Sequence, residues 1–261
     1  MIYVCVPSHN EAETVGILLW KIRKVFAEFT REYQILVLDD GSTDATAEVL
    51  EPYKKVLPLT VLRHDQRLGY ARSVEDLLLE AVKRTDRPKR DSVILMQADF
   101  TDDAGQLADM VRRLESGADL VVAEARLVGA SRGNRWLRQW GPKLFSKAVN
   151  LPAVQDQLSG FLACRLVTVR NAMRNAPGRL LTTEGWVANA ELQARVGAVA
   201  RRVASVQTDE RHDLRQRDSR HSTLARARAL WSQRGAITVP PPAPEPERRP
   251  RRKSRRPARV R

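Results

Sequence analysis

Short apolar runs alternate with amphipathic segments through the first half of the chain, and this alternation constrains the fold more than any other feature. Apolar runs occupy residues 2–7, 34–38, 59–62, 93–97 and 120–123. Between the first two runs, apolar residues from Val15 to Phe29 recur at helical spacing. Strands that alternate with helices are typical of βαβ units. The pattern therefore predicts an α/β fold in which helices flank a mostly parallel central sheet.

The second half is less regular and more basic. Between residues 124 and 152, six Lys or Arg are interleaved with Trp136 and Trp140, which predicts a loop and then a short helix over the sheet edge. Further strands are predicted at 160–164 and 203–207, a helix at 184–196, and an Arg-rich helical stretch at 210–234. Because Trp136 and Trp140 are four residues apart, we expect them to form a helix face rather than a sugar or lipid contact.

Length and charge predict one folded domain with a basic tail. A chain of 261 residues with 43% hydrophobic content can bury one substantial core. Residues 1–235 are expected to form this domain. Residues 236–261 are rich in Pro and Arg and cannot bury apolar surface, so they are predicted to be a disordered tail.

The formal net charge of +14 points to acidic partners such as nucleic acid, anionic lipid or phosphorylated substrates. Residues 240–261 hold nine Lys or Arg and two Glu, so half of the excess lies in the tail. No nucleic-acid recognition motif accompanies it, and we expect no nucleic-acid partner. Two distant cysteines suggest neither disulfides nor a zinc site, and the absence of a leader pattern or a long apolar run predicts a cytoplasmic, non-spanning protein.

The first polar loop follows the first predicted strand, over residues 6–13. It contains Pro7, Asn10 and Glu11. Asn10 and Glu13 have the spacing of a helix capping box, and a capping role alone would explain them. Ligands of open α/β sheets bind at this carboxyl end of the strands, so these residues are also candidates for ligand binding.

The second polar loop weakens the capping explanation. Asp39 and Asp40 end a buried strand and are followed by Gly41 and Ser42 and by the start of a new helix. Carboxylates at this position can accept hydrogen bonds from a base or a ribose hydroxyl.

These two loops, in this order and spacing, resemble those of the family 2 glycosyltransferases, in which a Pro-x-x-Asn-Glu loop and an Asp-Asp-Gly-Ser-x-Asp loop hold the nucleoside. Residues 67–71 look like the Gly-rich turn of that family, and residues 96–99 occupy the place of its Asp-x-Asp metal motif. The resemblance implies the GT-A fold, with a nucleotide-sugar-binding half at residues 1–103. The residues it assigns to the nucleotide sugar are Pro7, Asn10, Glu11, Asp39, Asp40, Ser42, Gly69, Gln97, Ala98 and Asp99.

Gln97 stands where the family has the first Asp of its metal motif. The resemblance implies a divalent cation, Mg²⁺ or Mn²⁺, with Asp99 and Gln97 as ligands and Thr101 or Asp102 as additional help. Because Mg²⁺ prefers carboxylates and water, the substitution should weaken binding of the ion, and it leaves metal dependence open.

The acceptor half is expected at residues 104–235. Residues 156–161, Asp-Gln-Leu-Ser-Gly-Phe, are similar to an element of the dolichol-phosphate and polyprenyl-phosphate mannose synthase group, and residues 146–150 and 203–220 are similar to two further segments. The resemblance implies a polyprenyl or dolichyl phosphate acceptor. It also implies a peripheral position at the inner face of a membrane, on the lipid surface or on a membrane-protein partner. The residues assigned to the acceptor phosphate are Arg126, Lys143, Ser146 and Arg211.

The implied reaction is a single inverting displacement at the anomeric carbon, with mannose from GDP-mannose as the expected sugar. The residues assigned to catalysis are Asp99, Asp156 and Glu184, although Glu184 would also be ordinary as a helix N-terminal carboxylate. Two alternatives stay open. One is transfer to a hydroxyl acceptor with Glu184 or Asp156 as general base, and the other is a non-catalytic nucleotide-sugar binder, which Gln97 motivates.

Overall fold

Seven strands and eight α-helices make up the regular structure in the part of the chain that the computed structural model describes, which is residues 1–145, 148–149, 151–176, 178–214 and 222–239. The strands are β1 (Ile2–Ser8), β2 (Tyr33–Asp40), β3 (Leu59–His64), β4 (Ser92–Leu95), β5 (Leu120–Val128), β6 (Leu162–Arg165) and β7 (Val203–Arg211). The helices are α1 (Val15–Glu28), α2 (Thr46–Leu50), α3 (Tyr70–Arg84), α4 (Leu107–Glu115), α5 (Arg132–Phe145), α6 (Leu166–Asn175), α7 (Trp186–Gly197) and α8 (Thr223–Ser232).

The seven strands form one mixed sheet in the order β3-β2-β1-β4-β6-β5-β7. Strands β3, β2, β1 and β4 are parallel, β6 is antiparallel to both of its neighbours, and β5 and β7 are parallel. The register that pairs Ser8 with Asp39 brings the ends of β1 and β2 to the same height. The loops that follow β1, β2 and β4 therefore meet at one edge of the sheet, as the predicted mostly parallel sheet requires.

Helices cover both faces of the sheet, and the strand residues alternate between two apolar cores. In β1, Tyr3 and Cys5 belong to one core, whereas Val4 and Val6 belong to the other. Helices α3, α6 and α7 contribute to the first core, and α1 and α4 to the second. A strand that buries side chains on both faces reads as a continuous apolar run, which is why the sequence pattern located these strands.

Two predicted boundaries in the second half were wrong. Strand β5 was expected to end at residue 123, but it continues to Val128 because β7 pairs with it through Arg211 and satisfies its backbone groups. The stretch predicted as helical from residue 210 instead begins with the end of β7 and a short 3₁₀ turn, and α8 follows. Apolar periodicity does not mark these elements, since polar side chains occupy much of the paired region.

The predicted tail also begins too early, since Ile237 is buried against the first core. Residues 240–261 lie outside the described residues. None of the helices in the described ranges is both long enough and apolar enough to cross a membrane.

Candidate active site

The loops after β1 and β2 are bound to each other at the carboxyl edge of the sheet. The side-chain oxygen of Asn10 accepts a hydrogen bond from the backbone N–H of Thr43 at 2.8 Å, and the backbone N–H of Asn10 donates to Ser42 Oγ at 2.8 Å. Asn10 has a φ of 51°, in the left-handed region that non-glycine residues rarely adopt. Asn10 and Ser42 thus shape the loops of the predicted nucleotide site.

The expected capping box of Asn10 and Glu13 was wrong. Helix α1 begins at Val15, its N-cap is Thr14, and no side-chain oxygen caps it. The Asn10 side chain is directed to the neighbouring loop because Thr43 offers it a backbone donor. Sequence spacing alone could not reveal that competing partner.

Asp39 and Asp40 are both buried but have different surroundings. Asp39 Oδ1 accepts from the backbone N–H of Ser42 at 3.0 Å, whereas its Oδ2 makes no hydrogen bond within the described residues and lies 3.6 Å from Arg63 Nε. A buried acceptor without a hydrogen bond is unusual in a folded protein. Asp39 Oδ2 thus keeps an acceptor position unused among the described residues, on a side chain that is fully buried.

Asp40 organises the chain around the site. Its carboxylate accepts from the backbone N–H groups of Leu68 and Gly69 at 2.8 and 2.9 Å and lies 2.7 Å from Nδ1 of His64. Burial opposes ionisation of Asp40, but the hydrogen bonds from His64, Leu68 and Gly69 outweigh it and lower the pKa of this carboxyl. Asp40 thereby fixes the Gly-rich turn through the backbone of Gly69, and a direct contact of Gly69 with a ligand stays a prediction.

The turn after β4 carries the predicted metal motif. Asp99 Oδ1 accepts from the hydroxyl of Thr101 at 2.6 Å, and the backbone N–H of Gln97 donates to Asp102 at 2.7 Å. Phe100, between them, has a φ of 64°. A bulky residue with positive φ costs free energy, and such strain clusters at functional sites.

Tyr70 links this turn to α7. The amide nitrogen of Gln97 donates to Tyr70 Oη at 3.1 Å, and Tyr70 Oη donates to Asn189 Oδ1 at 2.8 Å. Burial, followed by the nearby Asp102 charge, raises the pKa of Tyr70. A Cβ on Gly160 would lie 2.9 Å from Tyr70 Oη, so glycine is required for this approach.

Two adjoining cavities lie over these loops and form one cleft. The smaller is lined by the first two loops and by the metal-motif turn, and its lining includes Pro7, Glu11, Asp40, Gln97 and Ala98. The larger, of about 180 Å³, includes Asp99, Thr101, Asp102, Asn189 and Glu210. Both cavities are lined by Arg67, Tyr70 and Gln97. The structure thus brings most of the predicted nucleotide-sugar residues into one cleft.

A buried ion-pair network forms one wall of the larger cavity. Arg138 on α5 donates through Nε and Nη2 to Asp156, each at 2.8 Å, and through Nη2 to Glu210 on β7, also at 2.8 Å. Burial disfavours the charge of Arg138, but Asp156 and Glu210 together raise its pKa. Asp156 also accepts from the backbone N–H of Leu158. These contacts indicate that Asp156 positions Arg138. A catalytic role for Asp156 stays a prediction.

Acidic groups crowd the floor of the larger cavity. Burial, then the neighbouring charges of Glu210 and Asp99, raises the pKa of Asp102 to about 8. Nε2 of His212 is buried and lies 2.9 Å from a Glu210 oxygen, yet the approach lacks the geometry of a hydrogen bond. Oxygen-rich sites of this kind suit hard divalent cations.

The described residues include no group of three His, Cys, Asp or Glu side chains that could hold a metal ion. Magnesium, however, is usually bound through one or two carboxylates together with substrate phosphates and water. Asp99 fits that role because it is buried in the cavity lining. Gln97 uses its amide nitrogen toward Tyr70, so its oxygen is the atom suited to a cation. These residues fit a cation that arrives with a diphosphate.

Glu184 lies beside the cleft. Its carboxylate accepts from the backbone N–H of Ala71 at 3.2 Å, in the first turn of α3. An acidic side chain at a helix N-terminus is stabilised by the helix dipole, so Glu184 acts as a cap for α3. It lines an apolar groove of about 200 Å³ between the start of α7 and α8. A catalytic role for Glu184 is untested by this geometry.

Three of the predicted acceptor-phosphate residues, Arg126, Lys143 and Arg211, are not among the residues that line the cleft. Arg126 is exposed and pairs with Asp209 at 2.8 Å, and Arg211 pairs with Asp213 at 2.7 Å. Lys143 Nζ stacks 3.6 Å from the ring centroid of Trp140. Ser146 lies outside the described residues. Their assignment to the acceptor stays a prediction.

Sequence analysis did not assign several residues that line the larger cavity. These are Arg67, Tyr70, Arg138, Trp186, Asn189, Glu210, His212 and Arg226. Tyr70 belongs to the Gly-rich turn that the sequence revealed, and Arg138 belongs to the basic stretch at residues 124–152. The sequence therefore contained a signal for both residues. Glu210 and His212 lie within the segment 203–220 that resembles the synthase group, but neither was assigned, because the sequence does not reveal the pairing of β5 with β7 that brings them to the cleft.

Comparison with known proteins agrees with this architecture. The family model of glycosyl transferase family 2 matches residues 3–169. An undecaprenyl-phosphate 4-deoxy-4-formamido-L-arabinose transferase of Pseudomonas fluorescens is 27% identical over 151 residues, which cover 56% of this chain and 40% of the relative. A dolichol-phosphate mannosyltransferase of Pyrococcus furiosus is 24% identical over 184 residues, which cover 67% of this chain and 49% of the relative. The chain thus spans less than half the length of these two curated relatives.

Solved structures agree with the fold. Glucosyl-3-phosphoglycerate synthase from Mycobacterium tuberculosis, in complex with Mn²⁺, UDP-glucose and phosphoglyceric acid, superposes with a TM-score of 0.62 at 19% identity, covering 91% of this chain and 80% of that one. This similarity supports the predicted GT-A fold. Because the family model covers well over half of the sequence, including the three loops that build the cleft, the chain belongs to glycosyl transferase family 2.

Proposed function

We propose that this chain transfers a sugar from a nucleotide-sugar donor to a polyprenyl or dolichyl phosphate by a single inverting displacement. GDP-mannose is the proposed donor. The two relatives described above are named for mannose and for an arabinose derivative, so the family resemblance alone leaves the sugar open. The acceptor class is the part of the proposal for which the geometry offers most support.

The observation that carries the proposal is an apolar groove that joins the polar cleft. Gly185, Trp186 and Arg226 line both the larger cavity and the groove, and Val187, Ala229 and Leu230 supply apolar lining farther along the groove. Arg226 lies over the ring of Trp186, 4.7 Å from its centroid. A cation where a polar cavity meets an apolar groove matches an acceptor whose phosphate is attached to a hydrocarbon chain.

On the donor side, the smaller cavity would hold the nucleoside and the larger one the diphosphate and sugar. Asp39 offers an unsatisfied buried acceptor to the base or ribose. A divalent cation held by Asp99, with the amide oxygen of Gln97, would supply charge neutralisation of the leaving diphosphate. Arg67, which lines both cavities, is placed to contact the same phosphates.

The acceptor oxygen of a phosphate monoester is already ionised at neutral pH, so the reaction needs positioning rather than a general base. The contacts of the carboxylates near the cleft agree with a reaction that needs no general base, because Asp156 pairs with Arg138 and Glu184 caps α3. In the proposed mechanism both residues position other groups. Action on a lipid also implies a peripheral position at a membrane.

The test is a transfer assay with the full chain and a short-chain polyprenyl phosphate. Labelled GDP-mannose, GDP-glucose, UDP-glucose and UDP-N-acetylglucosamine are each offered, and the product is separated by lipid extraction. Asp99→Asn should lower turnover by orders of magnitude while the protein stays folded. Asp109→Asn is the matched control, since Asp109 is an exposed residue of α4 and is not among the residues that line the cleft.

Label in the lipid phase that depends on Asp99 but not on Asp109 supports the proposal. Efficient transfer to a sugar or protein hydroxyl without lipid phosphate would instead favour the hydroxyl-acceptor alternative, with Glu184 or Asp156 as base. Donor binding with no turnover on any acceptor would favour the non-catalytic alternative.

A further inference from the structure

Helices α5 and α8 expose an unusual set of large apolar side chains. Trp136, Trp140 and Leu144 follow one another at successive turns of α5, and Leu224 and Trp231 lie on α8. The exposed fractions are 60% for Trp136, 82% for Leu224 and 60% for Trp231. Three of the five tryptophans of the chain are in this set, which we name the tryptophan face.

The two helices are neighbours and run in the same direction. The hydroxyl of Thr223, at the start of α8, donates to Asn134 at 3.3 Å, and seven residues farther along each helix a Cβ on Gly141 would lie 3.4 Å from Leu230. The opposite side of α5 packs inward through Leu137 and Phe145. The exposed apolar residues are therefore on the outer sides of two adjacent helices that are already anchored.

The charge on these helices has one sign. Helix α5 exposes Arg132, Arg135 and Lys143, besides the buried Arg138, helix α8 contains Arg226 and Arg228, and neither helix contains Asp or Glu. Two cations also stack on the exposed rings, since Lys143 lies over Trp140 and Arg234 lies 4.3 Å from the centroid of Trp231. Trp together with Lys or Arg is the composition of protein surfaces at membrane interfaces.

We propose that the tryptophan face docks on an anionic lipid bilayer, with the indole rings in the headgroup region and the cations on the lipid phosphates. Single exposed apolar residues need no explanation, but a clustered set on two helices that carry only basic charged side chains is complementary to such a surface. Helix α8 also lines the apolar groove through Arg226 and Leu230, so docking would bring the groove close to the lipid. The reason why this chain would dock on a membrane rests on the proposed function, whereas the prediction that it binds vesicles does not depend on that function.

The chain offers a matched control in Trp20. It is 54% exposed on α1, it is stacked by Arg23, and α1 packs on the opposite face of the sheet. The test measures co-sedimentation of the full chain with vesicles of phosphatidylcholine, with and without phosphatidylglycerol, in the absence of donor and acceptor. Trp136→Ser/Trp140→Ser should weaken binding to the anionic vesicles by about a hundredfold, since each of the two buried rings contributes on the order of one power of ten.

Trp20→Ser should bind as the unchanged protein does. Quenching of tryptophan fluorescence by brominated lipid should persist in Trp20→Ser and fall in Trp136→Ser/Trp140→Ser. A second variant, Arg132→Gln/Arg228→Gln, keeps every ring and should weaken binding mainly at low salt. Because Arg132→Gln/Arg228→Gln removes no apolar side chain, it still tests docking if the double tryptophan variant fails to fold. Melting curves will show whether each variant is folded.

Four outcomes would overturn the proposal: no vesicle binding by the unchanged chain, equal binding by the double tryptophan variant, an equal loss in Trp20→Ser, or binding that depends wholly on residues 240–261. Transfer to a short-chain acceptor in solution should be unchanged in Trp136→Ser/Trp140→Ser. That assay separates failure of docking from failure of the proposed reaction.

Discussion

Replacing Asp156 with Asn should destabilise the fold, because this carboxylate is committed to a buried cation. Its oxygens accept from Nε and Nη2 of Arg138, each at 2.8 Å, and from the backbone N–H of Leu158 at 3.2 Å. Arg138 is 7% exposed and Asp156 is 9% exposed. In the Asp156→Asn variant one oxygen is replaced by a donor, so the two-pronged pairing is lost and Arg138 keeps Glu210 as its acidic partner.

The magnitude follows from this geometry. Breaking a buried ion pair by removing one partner costs about 3–5 kcal/mol. The amide of the Asp156→Asn variant would keep one acceptor oxygen and Glu210 would still neutralise Arg138, so we expect a loss of about 2–3 kcal/mol in the free energy of unfolding. Single domains are stable by only about 5–15 kcal/mol, so the effect is readily measured.

The assay is urea unfolding followed by tryptophan fluorescence, with Arg138→Met and the double variant completing a thermodynamic cycle. The two single changes should be strongly non-additive, since each removes the same interaction. Asp209→Asn is the matched control. It breaks an Arg126–Asp209 pair of similar geometry, at 2.8 and 2.9 Å, that is exposed to solvent and should therefore matter far less.

An Asp156→Asn protein that unfolds at the same urea concentration as the unchanged chain, but has lost transfer activity at saturating substrates, would refute the positioning role. It would then restore Asp156 as a candidate base.

Gln97→Asp should make transfer depend more steeply on Mg²⁺ or Mn²⁺, because it adds a carboxylate beside Asp99. If titrations of activity against either metal give unchanged curves, position 97 does not face the ion. Asp40→Asn should lower the free energy of unfolding at neutral pH. The pKa of Asp40 in the folded state lies below the ordinary 3.8, so the stabilisation by its carboxylate is complete above pH 3.8 and is lost as the pH falls through the folded-state pKa. The difference in unfolding free energy between the two proteins should accordingly shrink in acid, and a constant difference would contradict the assignment. Arg126→Ala and Lys143→Ala should each raise the KM for polyprenyl phosphate far more than that for the donor if these residues hold the acceptor phosphate, and an equal change in both values would remove them from the acceptor site.

The sequence was sufficient for the parallel strands of the first half and for the polar loops that follow them, because both depend on local patterns. Strands buried on both faces must be apolar throughout, so β1, β2 and β4 were visible as short runs. The loops after them carry polar residues at fixed positions, and parallel strands bring those loops to one edge. Candidate ligand-binding residues at this edge could therefore be named before any contact was known, and their assignment to a nucleotide sugar, which the family resemblance implies, stays a prediction.

Tertiary structure decided what each carboxylate does. Asp39 and Asp40 are neighbours in sequence, yet one retains a buried oxygen without a hydrogen bond and the other holds the Gly-rich turn. Asp156 is matched by Arg138 from another helix, and Glu184 caps α3 rather than its own helix. These partners are far apart in the chain, and no local pattern encodes them.

What the sequence by itself determined is the family, the α/β architecture and the edge of the sheet at which the polar loops gather, since periodicity and motif spacing are local properties of the chain. What only the tertiary structure decided is the composition of the cleft wall and of the outer surface. Glu210 and His212 reach the cleft because β7 pairs with β5, and Trp140 and Trp231 lie on adjacent helices because α5 packs on α8. Such contacts arise from the burial of distant segments against each other, which a linear pattern does not record.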